Sequence, residues 1–226
     1  MMEPTAPSTA DAVRHAFLAL AEAQAALRFG EFTLKSGRQS PYFFNAGAFS
    51  RGQAMVGLGQ AYAATAAALG TPFDVVFGPA YKGIPIATAM VTALAEHHGL
   101  DVGLAYNRKE AKDHGEGGQL VGAELAGQRV LLVDDVITAG TAIREVLPLL
   151  DAAGAKLVGV LTALDRQERG AEGEQSAVQQ LQAELGLPVQ AIVTLDDVLA
   201  WLRARGLVQE EVALAAYRAR YGARPR

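Results

Sequence analysis

The chain has 226 residues, half of them hydrophobic by count, with no cysteine and a formal net charge of −4. A chain of this length can bury one sizeable core, and a single domain over 1–226 is expected. Without cysteine, disulfide frameworks, thiolate zinc sites and cysteine nucleophiles are excluded. The acidic balance argues against binding nucleic acid, and no run approaches the roughly 18 consecutive apolar residues of a membrane span. Residues 1–9 contain Pro4, Pro7 and Ser8 and lack the basic-then-apolar order of an export signal, so a loose tail and a cytoplasmic location are expected.

In chain order, Val13, Phe17, Leu20 and Leu27 recur at helical spacing and predict an opening helix over 11–28, with Thr9 as its N-cap. Strands over 31–34 and 42–45 flank a turn at 35–40, a hairpin that completes a small N-terminal unit over 10–50. From residue 51 onward the rhythm is that of a core. Helices over 53–69, 84–98 and 141–153 alternate with β-branched runs over 73–77, 102–106, 130–133 and 157–162. Another strand over 190–195 and helices over 197–205 and 210–221 follow. Pro148, inside the 141–153 helix, is expected to kink or shorten it. Alternation of this type predicts an α/β fold with a Rossmann-like, doubly wound parallel sheet. Such sheets bind ligands beyond the carboxyl ends of their strands, so the informative residues should lie just after each one.

The run Val-Leu-Leu-Val-Asp-Asp-Val-Ile-Thr-Ala-Gly-Thr-Ala over 130–142 satisfies that expectation. A buried strand leads to Asp134 and Asp135, and Thr138, Ala139, Gly140 and Thr141 lead into a helix. Free amides, the positive dipole end and two hydroxyls would cradle a phosphate monoester there. Two carboxylates at the rim would repel that phosphate, so they need another partner. Vicinal ribose hydroxyls or a magnesium ion suit them, and the spacing describes a ribose 5-phosphate. The competing reading is a strand-ending Asp pair followed by a capped helix. Gly78-Pro-Ala-Tyr-Lys-Gly83 occupies the equivalent place after the 73–77 strand, where Lys82 could neutralise a diphosphate beside backbone amides. A turn shaped only for geometry would also use Gly and Pro. A third segment over 107–118 gathers Arg108, Lys109, Lys112 and His114 before three glycines. On an acidic protein it reads as a lid for a polyanion, or else as a solvated surface loop.

The 130–142 run resembles the signature of the type I phosphoribosyltransferases, and matches it without a gap. The 107–118 loop and the hairpin Phe29 to Gly47 resemble those of the orotate-using members of that family. The likeness covers most of the chain from Arg28 to about Leu199. It implies that the N-terminal unit is a hood over the core. It also implies magnesium-dependent transfer of ribose 5-phosphate from 5-phosphoribosyl 1-pyrophosphate (PRPP) to orotate, with inversion and release of pyrophosphate.

The resemblance assigns Lys35, Tyr81, Lys82, Arg108, Lys109, Lys112 and His114 to PRPP, along with Asp134, Asp135, Val136, Ile137, Thr138, Ala139, Gly140, Thr141 and Ala142. Lys112, Asp134 and Asp135 are the expected catalytic groups. Lys35, Phe43, Phe44, Thr138 and Arg166 are assigned to orotate, with Arg166 on its carboxylate through a bidentate grip that a neutral purine cannot accept. The plain alternative for Arg166 is a surface pair with Glu168 or Asp165. Magnesium is expected to be held mainly by PRPP, near Asp134 and Asp135 and without a direct protein cage. The resemblance also implies a homodimer in which the lid crosses into the partner's site. A salvage enzyme for another base and a non-catalytic sensor of phosphoribosyl ligands are the competing functions.

Overall fold

The computed structural model describes residues 8–34, 37–112, 118–170 and 173–224, with Ala111 and Lys112 as backbone only. The first helix, α1 (Thr9–Ala23), is capped by Ser8, whose hydroxyl accepts the Asp11 N–H. It stops five residues short of the end that its periodicity predicts. Ala25 turns the chain at φ 53°, and Leu27 opens strand β1 (Leu27–Thr33) opposite Phe44 of β2 (Gln39–Phe44). Leu27 is only 2% exposed, so its apolar signal belongs to this pairing and not to a helix face. Tertiary pairing has overridden local helix preference. Both hairpin strands also lie earlier in the sequence than predicted, and the ladder is bulged between Phe29 and Phe32.

The core sheet contains β3 (Val75–Gly78), β4 (Gly103–Lys112), β5 (Gly118–Gly122), β6 (Arg129–Val136), β7 (Lys156–Asp165) and β8 (Val189–Thr194). Their order is β5-β4-β3-β6-β7-β8, parallel throughout except for β5, which pairs antiparallel with β4. The remaining helices are α2 (Gly52–Ala68), α3 (Gly83–His98), α4 (Thr141–Ala152), α5 (Ala177–Leu185), α6 (Leu195–Ala204) and α7 (Val208–Tyr221).

Strand side chains alternate between the two faces with period two. Val76, Leu131, Val133 and Leu161 join the core beneath α1, α2 and α3, while Val75, Phe77, Val130 and Leu132 join that beneath α4 and α5. Chain progression reverses between β3 and β6: α3 leads outward to β4 on one side, and α4 leads to β7 on the other. This is the switch point at which doubly wound sheets open a crevice.

The hairpin is anchored over the C-terminal helices. Tyr42 meets Tyr217 of α7 edge-on at 6.0 Å, and Phe29 stacks at 6.5 Å on Trp201 of α6, which is 4% exposed. Helix α4 runs through Pro148 to Ala152 and is not cut there. Sequence patterning does not find β5 or α5. The first is a glycine-flanked segment that becomes a strand only by pairing with β4, and the second is a nine-residue helix set by a Ser176/Gln179 capping box.

Candidate active site

At the end of β6 the chain runs out of apolar residues and presents Asp134 and Asp135. Each carboxylate accepts the N–H of the following residue, at 2.9 and 2.8 Å, which fixes both side chains close to the strand end. The Tyr62 hydroxyl of α2 donates to the Asp134 carbonyl at 2.7 Å and pins the strand from below. Burial, followed by the charge of Asp135, raises the Asp134 carboxyl to about 6. Desolvation disfavours the anion, and a like charge beside it adds to the cost.

Across the switch point, Lys82 donates to Asp135 at 2.6 Å, with the lysine side chain more than half exposed and the aspartate mostly buried. Lys82 can reach it because β3 turns tightly into α3. A Cβ at Gly78 would lie 2.2 Å from the Gly83 carbonyl oxygen, so any side chain there would force the turn open. The turn is also held by Asn107 in the middle of β4, one residue past the stretch paired with β3, whose Oδ1 accepts the Ala80 N–H at 2.9 Å. Tyr81 is 69% exposed beneath the Lys109 ammonium, which lies 5.5 Å from its ring centre.

Helix α4 begins at Thr141 after Gly140, which has φ 68° and offers no side-chain cap. Its first amides are therefore free to meet an anion, as the dipole favours. The loop before it is held by Arg144, which donates to the Ala139 carbonyl and pairs through Nε and Nη2 with Glu184 at 3.0 and 2.9 Å. Thr138, Ala139, Thr141 and Ala142 are exposed, whereas Val136 and Ile137 turn their side chains into the two cores. Those last two can offer a ligand only their backbone.

Arg166 follows β7, two residues beyond Leu164, which lies opposite Val136 of β6. The plain alternative is realised in part: Arg166 pairs with Glu168, Nε and Nη2 both reaching Oε1 at 2.9 and 2.7 Å. The pair is not superficial, since the two side chains are 15% and 13% exposed. The guanidinium lies over the Tyr42 ring of the hairpin at 5.2 Å. Phe44 joins the core against Phe17, and Phe43 stacks on Phe32 under the Arg28 guanidinium. Alternate strand residues thus diverge as expected. Arg108 donates to the Gly118 carbonyl at 3.4 Å and ties the two strands at the lid base. Lys35 and His114, and the side chain of Lys112, lie outside the described residues.

Sequence reasoning did not find Tyr62, Asn107, Arg144, Tyr42 or Arg38, and named Glu168 only as a surface partner of Arg166. The available signal is the appearance of a polar residue in an otherwise apolar element: Tyr62 in an alanine-rich helix, Asn107 in a strand. The donor set fits magnesium in one particular way. The carboxylate oxygens are hard ligands, but Asp135 is already paired with Lys82, and no group of three or more acidic or imidazole side chains gathers among the described residues. An ion that keeps waters and phosphate oxygens and takes one or two carboxylates suits this arrangement.

A doubly wound sheet with an uncapped helix start and paired carboxylates at its switch point fits the phosphoribosyltransferase class. The family model described as phosphoribosyl transferase domain matches residues 49–189. The orotate phosphoribosyltransferase of Chromohalobacter salexigens is 57% identical over 92% of this chain and 94% of its own. A crystal structure of the Francisella tularensis orotate phosphoribosyltransferase superposes with a TM-score of 0.84 at 38% identity, covering 92% of this chain and 99% of that one. The Mycobacterium tuberculosis orotate phosphoribosyltransferase in complex with PRPP superposes at 0.60 with 25% identity, over 81% and 98%. This chain belongs to the orotate phosphoribosyltransferase family.

Proposed function

We propose that the chain transfers ribose 5-phosphate from PRPP to orotate, giving orotidine 5′-monophosphate and pyrophosphate, in a magnesium-dependent reaction. The observation that carries this reading is the meeting of Lys82 and Asp135 across the switch point, beside the uncapped start of α4. The amides of that helix start receive the 5-phosphate. Asp134 and Asp135 orient the ribose hydroxyls and stabilise positive charge growing at the anomeric carbon. Lys82, with Lys109 and Lys112 of the lid, faces the departing diphosphate, so the groups of each sign are placed before charge separates. Asp134 and Asp135 would border a magnesium ion held mainly by PRPP, which would supply charge neutralisation for the diphosphate. Arg166 takes the orotate carboxylate while the Lys35 turn and the Phe43–Phe44 backbone border the base. Orotate nitrogen attacks opposite the leaving group, and the lid keeps water from the anomeric centre.

The Mycobacterium relative was crystallised with PRPP, which supports the cosubstrate assignment. A single domain is favoured by two cores that share one sheet. A homodimer with exchanged lids is favoured by the lid's cationic composition and its place at the sheet edge, on β4 and β5. No described helix is long and apolar enough to cross a membrane, and together with the absence of cysteine this supports a cytoplasmic enzyme. The deciding assay follows loss of orotate absorbance with PRPP and magnesium, in parallel with hypoxanthine, adenine and uracil. Turnover of orotate alone is expected; turnover of a purine or of uracil with orotate inert would overturn the proposal.

A further inference from the structure

The loop after β7 holds a carboxylate that the reaction does not use. Glu168 is 13% exposed and lies between two guanidiniums: Oε1 receives Nε and Nη2 of Arg166, and Oε2 is 3.7 Å from Nη1 of Arg38. The Tyr42 hydroxyl donates to Oε1 at 3.2 Å. Arg38 also donates to the carbonyls of Arg169 and Gly170 at 3.1 and 3.4 Å and lies over the Tyr221 ring. The loop backbone is fastened as well. Glu168 bridges to Gly222, the Arg169 N–H donates to the Tyr221 carbonyl at 2.9 Å, and the Ala223 N–H donates to the Gln167 carbonyl at 2.7 Å.

We propose that Glu168 is a positioning residue for base recognition, fixing the Arg166 guanidinium so that one of its edges is presented to the carboxylate of the base. The inference rests on the assignment of Arg166 to that carboxylate. A guanidinium carries five N–H donors in one plane. Glu168 occupies the edge formed by Nε and Nη2, which sets the plane and leaves the end-on edge for a second carboxylate. The charges also match. Both Arg166 and Arg38 face the single Glu168 carboxylate in a largely buried place, and the orotate carboxylate brings a second negative charge to them. Burial raises the Tyr42 and Tyr217 phenols above their ordinary value, so neither competes as an anion. With Glu168 neutral, Arg166 and Arg38 would repel each other, and an unpaired buried guanidinium would swing toward water.

The test compares binding of orotidine 5′-monophosphate and uridine 5′-monophosphate, which differ only in the base carboxylate, to the wild type, Glu168→Gln, Arg166→Ala and the double variant. Thermal melting of each checks its fold. In Glu168→Gln the dissociation constant for orotidine monophosphate is expected to rise about tenfold, the scale of one charge-assisted hydrogen bond. That for uridine monophosphate and the KM for PRPP should stay within about twofold, and the double variant should be no weaker than Arg166→Ala. Wild-type preference in Glu168→Gln, equal loss of both nucleotides, or fully additive losses in the double variant would each overturn the inference while the Arg166 assignment stands. Arg166→Ala with its preference intact would remove that assignment, and the inference with it. Should Glu168→Gln not fold, Glu168→Asp carries the same test, because it keeps the charge and withdraws the oxygens by one methylene.

Discussion

Asp134 is held in a setting that opposes its own charge. Its carboxyl lies near 6 in the folded chain against an ordinary 3.8, because burial and Asp135 both resist ionisation. A raised acid pKa means that the folded state holds its proton more tightly than the unfolded chain. The associated stability is present below 3.8 and is lost as pH rises through about 6. The loss is on the order of 3 kcal/mol at most, for a shift of about two units. In the ligand-free protein with chelator present, Asp134→Asn is expected to abolish this fall in melting temperature and to be the more stable form at neutral pH. Turnover should drop on the order of a hundredfold, as when a preplaced electrostatic group is removed. A melting curve with unchanged pH dependence would contradict this account. At this scale the sequence was legible in placement: Asp134, Asp135, Lys82 and Arg166 lie at or just beyond strand ends, as the βα alternation predicts. It was silent on Tyr62 and Arg38, because their roles depend on partners 72 and 131 residues away whose proximity only the fold creates.

Helix α4 shows how an element is shaped by what must remain unsatisfied. A Ser or Asp at its N-cap would stabilise the helix by filling its free amides; Gly140 leaves them open, and Arg144 holds the loop by the Ala139 carbonyl instead. Arg144→Met should therefore raise the KM for PRPP roughly five- to tenfold, the worth of about one hydrogen bond, and leave the KM for orotate unaltered in steady-state kinetics. The elements themselves were read with uneven success for physical reasons. The parallel strands are buried on both faces and stand out as apolar runs, whereas the α1–β1 boundary lies in an alanine-rich stretch where Leu27 fits either pattern. Likewise β5 has no strong period of its own, and only its ladder with β4 identifies it.

For the whole molecule, the proposed homodimer raises the question of which subunit supplies the lid. Lys112→Ala and Asp135→Asn homodimers should each be nearly inactive, since every site in either lacks one group. After mixing and exchange, a crossing lid gives heterodimers with one doubly defective site and one intact site, so about a quarter of wild-type activity returns at statistical exchange, in which half the dimers are mixed. A lid folded over its own subunit would leave every site defective. Mass spectrometry of the mixed dimers establishes that exchange has taken place, and a mixture that stays inactive despite it would exclude the shared site.

The seam beneath the hairpin carries its own optical label. The sequence has one tryptophan, and Trp201 lies against Phe29 of the hairpin with the Arg205 guanidinium 4.4 Å from its ring centre. Among the described residues its indole N–H meets no acceptor. Intrinsic fluorescence therefore reports from a single place, the seam between the hairpin and the C-terminal helices. While the hairpin is seated, emission should be blue-shifted and shielded from iodide. Any lifting that admits water should shift it to the red and open it to the quencher, so one cuvette measurement can time hood movement against substrate addition without an introduced dye.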